Sequence, residues 1–511
     1  MSAHLAEPLA ASSPPPPHSA TQPAGRFAVS RISGGLGPFL LTLIALYLVK
    51  QILFVVAFPP FSGHDEVAHF SYLRTVATEG RIPTIPDLAV WRAEVRVNRQ
   101  PNVDLLPADL YPYCRYALYW HCEPDDPRWS KTPPYIVTYL GQYFPTGLQY
   151  VANHPPLYYL AMTPLYWASD EWSTNAQQYL LRFAAIPFGL ITVLLGLLLA
   201  RTLFPGDTFL AVTVPTFIAF QPQISYEAAM VNNDIVAIAG YSLLLWLIVR
   251  GIRDRFPLRQ CLVVGLVLGL AIVAKSTSLT AAPLIAGAVI ATVGWRNVKG
   301  WAGRGVAIVA PAALVASPWY FFLYRSYGNF DALPQIAAVQ SYWNKPEGSF
   351  RELLFSPSFI AMRFRETWGE FGWRVLPLDP ELLWVIAVPL VAAVCGLVRF
   401  VWLARRSKLE RADDDSVLRP VRWQGIALVL LVSACLLAYL AVVHFGTQFS
   451  LTQARYFFPV VNAAALLLML GLRTIIPRRL HRFGQGAVFA ALVLLNLLIF
   501  TQYVVPYYLA T

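Results

Sequence analysis

Charge is what this sequence has least of. Of its 511 residues 13% are Asp, Glu, Lys or Arg, about half the share a soluble domain carries. So few charges cannot cover a water-facing surface, and long stretches must face something else. Cysteine is scarcer still. There are five, with Cys114 and Cys122 in one hydrophilic stretch and Cys261, Cys395 and Cys435 in apolar ones, which excludes a disulfide framework. If the hydrophilic stretch faces an oxidising compartment, a Cys114–Cys122 bridge and two unpaired thiols are both open. No segment repeats at a fixed period. Acidic residues are also in deficit, giving a net charge of +11. The basic residues form no single stripe, however, and nucleic acid is excluded as their partner.

What is present is apolar sequence: 57% of the chain. A helix crosses a bilayer with roughly 20 mostly apolar residues. Eleven windows qualify, at 38–58, 179–203, 207–224, 230–250, 258–275, 278–294, 305–325, 381–404, 422–444, 456–473 and 485–505. The expected fold class is therefore all-α, a polytopic transmembrane helical bundle. Residues 1–30, with Ser12-Ser13-Pro14-Pro15-Pro16-Pro17, read as a disordered cytoplasmic tail. The first apolar run starts too late for a cleaved signal peptide and reads as a retained helix.

Orientation follows from the connections. With the N-terminus in the cytoplasm, inner connections carry sets such as Arg250, Arg253, Arg255 and Arg259, or Arg473, Arg478, Arg479 and Arg482. The short outer ones near 225–229, 276–277 and 445–455 carry Arg455 alone. That asymmetry predicts N-in, C-out. His154–Ala168 would invert the pattern if it crossed. It has roughly 15 residues and an internal Pro164, and reads instead as an interfacial helix. The expected organisation is one transmembrane unit over 31–475, with outer loops at 59–178 and 326–380, then a cytoplasmic loop and last helix over 476–511.

Chemistry concentrates where the first span ends, in Ser62-Gly63-His64-Asp65-Glu66-Val67-Ala68-His69. Two carboxylates between two histidines are costly to hold beside lipid. Three readings stand. A carboxylate at the boundary can be a general base for an acceptor hydroxyl. His64, Asp65 and His69 can form a metal site. Asp65 can simply cap a helix. Other ionisable residues fall on the same predicted side: Arg182, Glu227, Asp234, Lys275, His444 and Arg455. Lys275 and Arg455 suit phosphate oxygens, so the mouth fits a lipid-linked phosphosugar. Lys50 lies well inside the first span and reads as a buried or snorkelling cation. Trp368 and Trp373, in the second outer loop, are expected either to line an acceptor entrance or to anchor at the interface.

These residues together resemble the C-type integral-membrane glycosyltransferases, the superfamily of protein O-mannosyltransferases and lipid A aminoarabinose transferases. The resemblance is carried by Asp65-Glu66 after the first helix, the long outer loop and His154-Pro155-Pro156-Leu157. It continues in Asn233-Asp234 at the fourth span, Gly269-Leu270-Ala271 with Lys275, and Gln453-Ala454-Arg455-Tyr456. His64 stands where proline is usual. The resemblance implies Asp65 as base and Glu66 as helper. His69, His154, Arg182, Asp234, Lys275, Arg455 and Tyr456 would bind substrate or carrier phosphate. It implies a polyprenyl-phosphate-linked sugar donor, a glycan, lipid or protein acceptor, and membrane lipids as partners. No cofactor is implied, since the metal-using relatives carry an added Asp-x-Asp that is not found near Asp65. The place implied is a bacterial inner membrane, with the site facing outward. A transporter or flippase, or a ligase or polymerase using lipid-diphosphate donors, are the alternatives.

Overall fold

The computed structural model describes residues 36–85, 110, 135–139, 142–146, 149–339, 346–406, 418, 420–449 and 453–509. The N-terminal tail, Cys114 and Cys122 lie outside them. The chain divides into two units, Met1–Thr42 and Leu43–Thr511. In the first, the described residues begin a helix on which Thr42 Oγ1 returns to Pro38 O at 3.0 Å.

The fold is a polytopic all-α bundle. α1 (Gly37–Ala57) is followed by α2 (Glu66–Glu79), α3 (Leu157–Ala168), α4 (Thr174–Leu203), α5 (Thr208–Phe220), α6 (Pro222–Glu227), α7 (Asp234–Asp254) and α8 (Leu258–Ala274). A 3-10 turn leads into α9 (Ala281–Val293), and α10 is Val298–Tyr327. Beyond come the short α11 (Leu333–Val339), α12 (Phe350–Phe355), α13 (Pro357–Trp368) and α14 (Phe371–Arg374). Then follow α15 (Pro380–Arg406), α16 (Arg422–Gly446), a 3-10 segment Ala454–Val460 running into α17 (Val461–Ile475), and α18 (His481–Ile499). The extended pieces among the described residues are an antiparallel pair, β1 (Tyr135–Tyr139) and β2 (Gln142–Thr146), with Tyr135 opposite Thr146, and Leu376–Pro377, bridged to Glu370 and Phe371.

Each of the eleven expected windows is helical. Among the described residues nine helices are long and apolar enough to cross a membrane, and α5 and α8 are shorter. The shortness of α5 has a local cause. Pro222 has no N–H and disfavours a helical residue before it, and Gln221 is extended (φ −66°, ψ 118°). Gln221 then caps α6, its Oε1 accepting from Ile224 N at 2.6 Å. The break frees carbonyls inside the bundle, and the last two of α5 find side-chain donors. Ala219 O accepts from Lys50 Nζ, and Phe220 O accepts from Asn496 Nδ2 at 2.6 Å. Lys50 also reaches Ser225 Oγ at 2.5 Å. The cation inside the first span is thus a plug for a broken helix.

Close helix pairs are set by small residues, which let backbones approach where lipid supplies no hydrophobic drive. α15 meets α17 so tightly that a Cβ on Gly396 would stand 2.1 Å from Gly471 O. α8 meets α10 the same way: a Cβ on Gly265 would stand 2.1 Å from Ile308 O. Outward faces are apolar and open, as with Trp384 at 74% and Val388 at 68% exposure on α15. α2 and α3 pack against each other, with Tyr72 and Tyr159 stacked at 3.6 Å between centroids. At 12 residues α3 is too short to cross a bilayer.

Candidate functional site

The chain leaves α1 through Phe58-Pro59-Pro60 and turns at Phe61 and Asp65, both at positive φ (64° and 56°). Aspartate tolerates this region better than most residues. Asp65 holds the position before α2, yet its side chain makes no capping bond. A capping carboxylate works from an extended backbone and bonds the N2 or N3 amide, so the helix-cap reading fails. Its carboxylate is turned outward instead. Oδ1 accepts from Tyr150 Oη at 3.0 Å, and Oδ2 accepts from Arg455 Nη2.

Arg455 continues the contact. Its Nη1 lies 3.4 Å from Asp234 Oδ2, and Asp234 Oδ1 accepts from Lys275 Nζ. The four charges alternate in sign: Asp65, Arg455, Asp234, Lys275. They come from the turn after α1, the 3-10 segment before α17, the first residue of α7 and the residue ending α8. Asp65 is the most open at 16%, and the other three side chains lie between 6% and 8%. Lys275 Nζ stands 5.4 Å over the Tyr456 ring, a cation–π contact.

Glu66 does something else. Its Oε1 accepts from Arg182 Nε (2.8 Å) and Val231 N (2.9 Å), and its Oε2 from Arg182 Nη2 (2.7 Å) and Gly63 N (3.0 Å). Arg182 spends its remaining donors on Val55 O, Phe58 O and Pro59 O at 3.2, 2.7 and 2.9 Å. They belong to the last turn of α1 and the two residues that follow it, where a helix end lacks donors of its own. Both side chains are fully enclosed. Every acceptor site of Glu66 and every donor of Arg182 is used. The pair clamps the turn that presents Asp65.

His69 bonds Tyr159 Oη through Nδ1 at 2.8 Å, and its ring lies 5.5 Å from that of His154. The His154 carbonyl accepts from Tyr72 Oη at 3.0 Å. His64 faces the buried Glu227, Nδ1 to Oε1 at 3.6 Å. The three side chains weighed as a metal set thus turn to three different partners, and among the described residues no group of three or more His, Cys, Asp or Glu side chains is arranged to hold a metal ion. His444 is exposed, 3.4 Å from Gln448, and is not in this cluster. Trp368 is buried, edge-on to Phe217 at 5.8 Å, so it lines no entrance; the Trp373 side chain lies outside what the structure describes.

Electrostatics sharpen the picture. Burial pushes the Asp65 carboxyl up, but Arg455 and the nearby His69 outweigh it and hold it down at about 2. Burial holds His69 down at about 4 and His154 well below the ordinary histidine value. Two residues escaped the sequence reading. Tyr150 had no motif to mark it. Glu366, in the segment between α10 and α15, is 5% exposed. It accepts from Ala454 N at 2.8 Å and meets Arg374 at 2.9 Å and Arg363 at 3.3 Å. Burial raises its carboxyl to about 7. A described cavity of about 330 Å³ lies far from all of these, between Phe204–Phe209, Gln424 and Arg473–His481.

Fold and site together define a multi-pass helical membrane protein with an ion-paired cluster at one end of its bundle. The chain belongs to the family described as "Predicted membrane protein (DUF2142)", which matches residues 48–464. No curated protein matches it. Among solved structures it is similar to ArnT from Cupriavidus metallidurans bound to undecaprenyl phosphate. There the identity is 15% and the TM-score 0.48, over 90% of this chain and 64% of that one. The apo form of the same ArnT gives 15% and 0.47, over 91% and 65%. The Archaeoglobus fulgidus oligosaccharyltransferase in complex with Zn and sulfate gives 15% and 0.39, over 84% and 51%. The chain thus spans less than two thirds of the length of each.

Proposed function

We propose that this protein is a glycosyltransferase of the C type, moving a sugar from a polyprenyl-phosphate carrier to an acceptor hydroxyl outside the cytoplasm. The observation that carries the reading is the alternating row Asp65–Arg455–Asp234–Lys275, with its most open member a carboxylate. Two cations there are neutralised only by carboxylates on the same protein. An arriving phosphate is a stronger partner for both, Arg455 binding it through two N–H groups and Lys275 as a point charge. Drawn to the phosphate, Arg455 leaves Asp65. The carboxylate loses the charge that keeps it weakly basic and becomes able to take a proton.

The step then balances simply. The acceptor O–H proton passes to Asp65 while its oxygen bonds the anomeric carbon. The bond from that carbon to the phosphate oxygen breaks, and its electron pair leaves with the phosphate, held by Arg455 and Lys275. One displacement inverts the anomeric centre. In this reading Glu66 and Arg182 position Asp65 rather than touch substrate, and His69 and His154 line the carrier side.

The test uses purified protein in nanodiscs with a polyprenyl-phosphate-linked sugar. Asp65→Asn is expected to lower transfer by about 10²- to 10⁴-fold while carrier binding persists. Wild-type rates in that variant would remove Asp65 as base. A strict need for a lipid diphosphate donor would move the protein to the ligases or polymerases, and lipid flux without a covalent product to the transporters.

A further inference from the structure

We infer that Glu366 is a positioning residue, through which the segment between α10 and α15 fixes the backbone that carries Arg455. The carboxylate of Glu366 accepts the N–H of Ala454 at 2.8 Å, and Ala454 is the residue directly before Arg455. That N–H opens the 3-10 segment Ala454–Val460, whose preceding residue, Gln453, provides no side-chain cap. An amide at a helix start lacks an intrahelical acceptor, and a carboxylate there also meets the positive end of the dipole. Glu366 therefore acts as a cap supplied from another helix, α13. A shift of Ala454 N swings the Arg455 side chain, and with it the contacts to Asp65 and Asp234.

Such a cap works only if its own element is fixed, and it is. The loop is tied to α6 and its flanks at three points. Gln221 donates to Thr367 O, Glu370 N donates to Gln223 Oε1 at 3.0 Å, and Gly372 N donates to Tyr226 Oη at 3.1 Å. Tyr226 in turn donates to Ser62 O at 3.0 Å, three residues before Asp65. One segment thus reaches both partners of the Asp65–Arg455 pair: Arg455 through Glu366, and the Asp65 turn through Tyr226. Arg363 and Arg374 hold the Glu366 carboxylate in place from α13 and α14, with Glu370 beside Arg374 at 3.5 Å.

The functional consequence rests on the carrier-phosphate reading; the positioning itself does not. Two readouts separate them: amide hydrogen exchange over the peptide containing Gln453–Val460, and affinity for undecaprenyl phosphate, both in nanodiscs. Glu366→Gln keeps an acceptor for Ala454 N and is expected to match wild type in exchange, with affinity within about threefold. Glu366→Ala is expected to lose protection at that peptide and to bind about tenfold more weakly. Should it not fold, the triple variant Arg363→Met, Glu366→Met, Arg374→Met removes acceptor and charges together and is read the same way. Unchanged exchange on loss of the acceptor overturns the inference. So does a Gln variant as disturbed as the Ala variant, which would make Glu366 a counter-charge for Arg363 and Arg374. If exchange behaves as expected but wild type binds no polyprenyl phosphate, the carrier reading fails and the positioning stands.

Discussion

Asp65 and Glu66 are neighbours in the chain, both are carboxylates, and each is paired with an arginine, yet the two pairs differ in kind. Glu66–Arg182 is enclosed, and all its hydrogen-bonding capacity is spent on protein, much of it on the backbone of the turn itself. Asp65–Arg455 is partly open, and each member is shared, with Tyr150 and with Asp234. A charge whose valences are all filled from within serves structure. One held mainly by a rival charge can be traded to an incoming ligand.

The largest effect should come from breaking the filled pair. Glu66→Ala strands a buried guanidinium and is expected to cost about 3–5 kcal/mol, seen as a large drop in unfolding temperature in detergent. Asp65→Asn should leave that temperature within a few degrees. Equal losses in both variants would erase the distinction. A smaller effect should separate the regions by pH. His69 lies beside Asp65, and burial holds it at about 4, below its ordinary 6.5. The unfolded chain therefore takes up a proton that the folded chain refuses. Stability is full above about 6.5 and falls as pH drops toward 4, by up to roughly 3 kcal/mol. His154 shifts in the same direction. His69→Gln should flatten part of that fall in a thermal scan between pH 7 and 4; an unchanged profile would take His69 out of the account.

Much of the scaffold was legible. Apolar length marked eleven windows, all helical, of which nine hold helices long enough to cross a membrane among the described residues, and the placement of basic residues marked one set of window ends as different from the other. The list of charges that meet there, Asp65, Asp234, Lys275 and Arg455, came from the same reasoning. What pattern could not show was division of labour. Asp65 and Glu66 look interchangeable in sequence because the left-handed backbone at Asp65, which sends their side chains to opposite partners, leaves no compositional trace. Arg182 was expected at a phosphate and is found inside a clamp, since nothing local announces which carbonyls a guanidinium will meet. Glu366 and Tyr150 act across separations of 88 and 85 residues, beyond any periodicity. The shortness of α5 was readable in principle from Gln221-Pro222, a proline inside an apolar window.

Lys50 has a consequence in time. Its acceptors, Ala219 O and Ser225 Oγ, follow it by 169 and 175 residues. At about 5–20 residues per second of synthesis, the first helix waits on the order of ten to thirty seconds for them. A lysine at the centre of a span costs about 2.5–3.5 kcal/mol to insert alone. The helix must therefore enter the bilayer on its other apolar residues, with the ammonium reaching for water, and settle only when α5 and α6 arrive. Chains truncated before residue 219 should insert their first helix less completely than the same chains carrying Lys50→Leu, as glycosylation mapping would read; equal insertion would mean that the lysine is carried at no cost. Membrane entry of the first segment and closure of the bundle around the broken helix are two separate events, joined by one side chain.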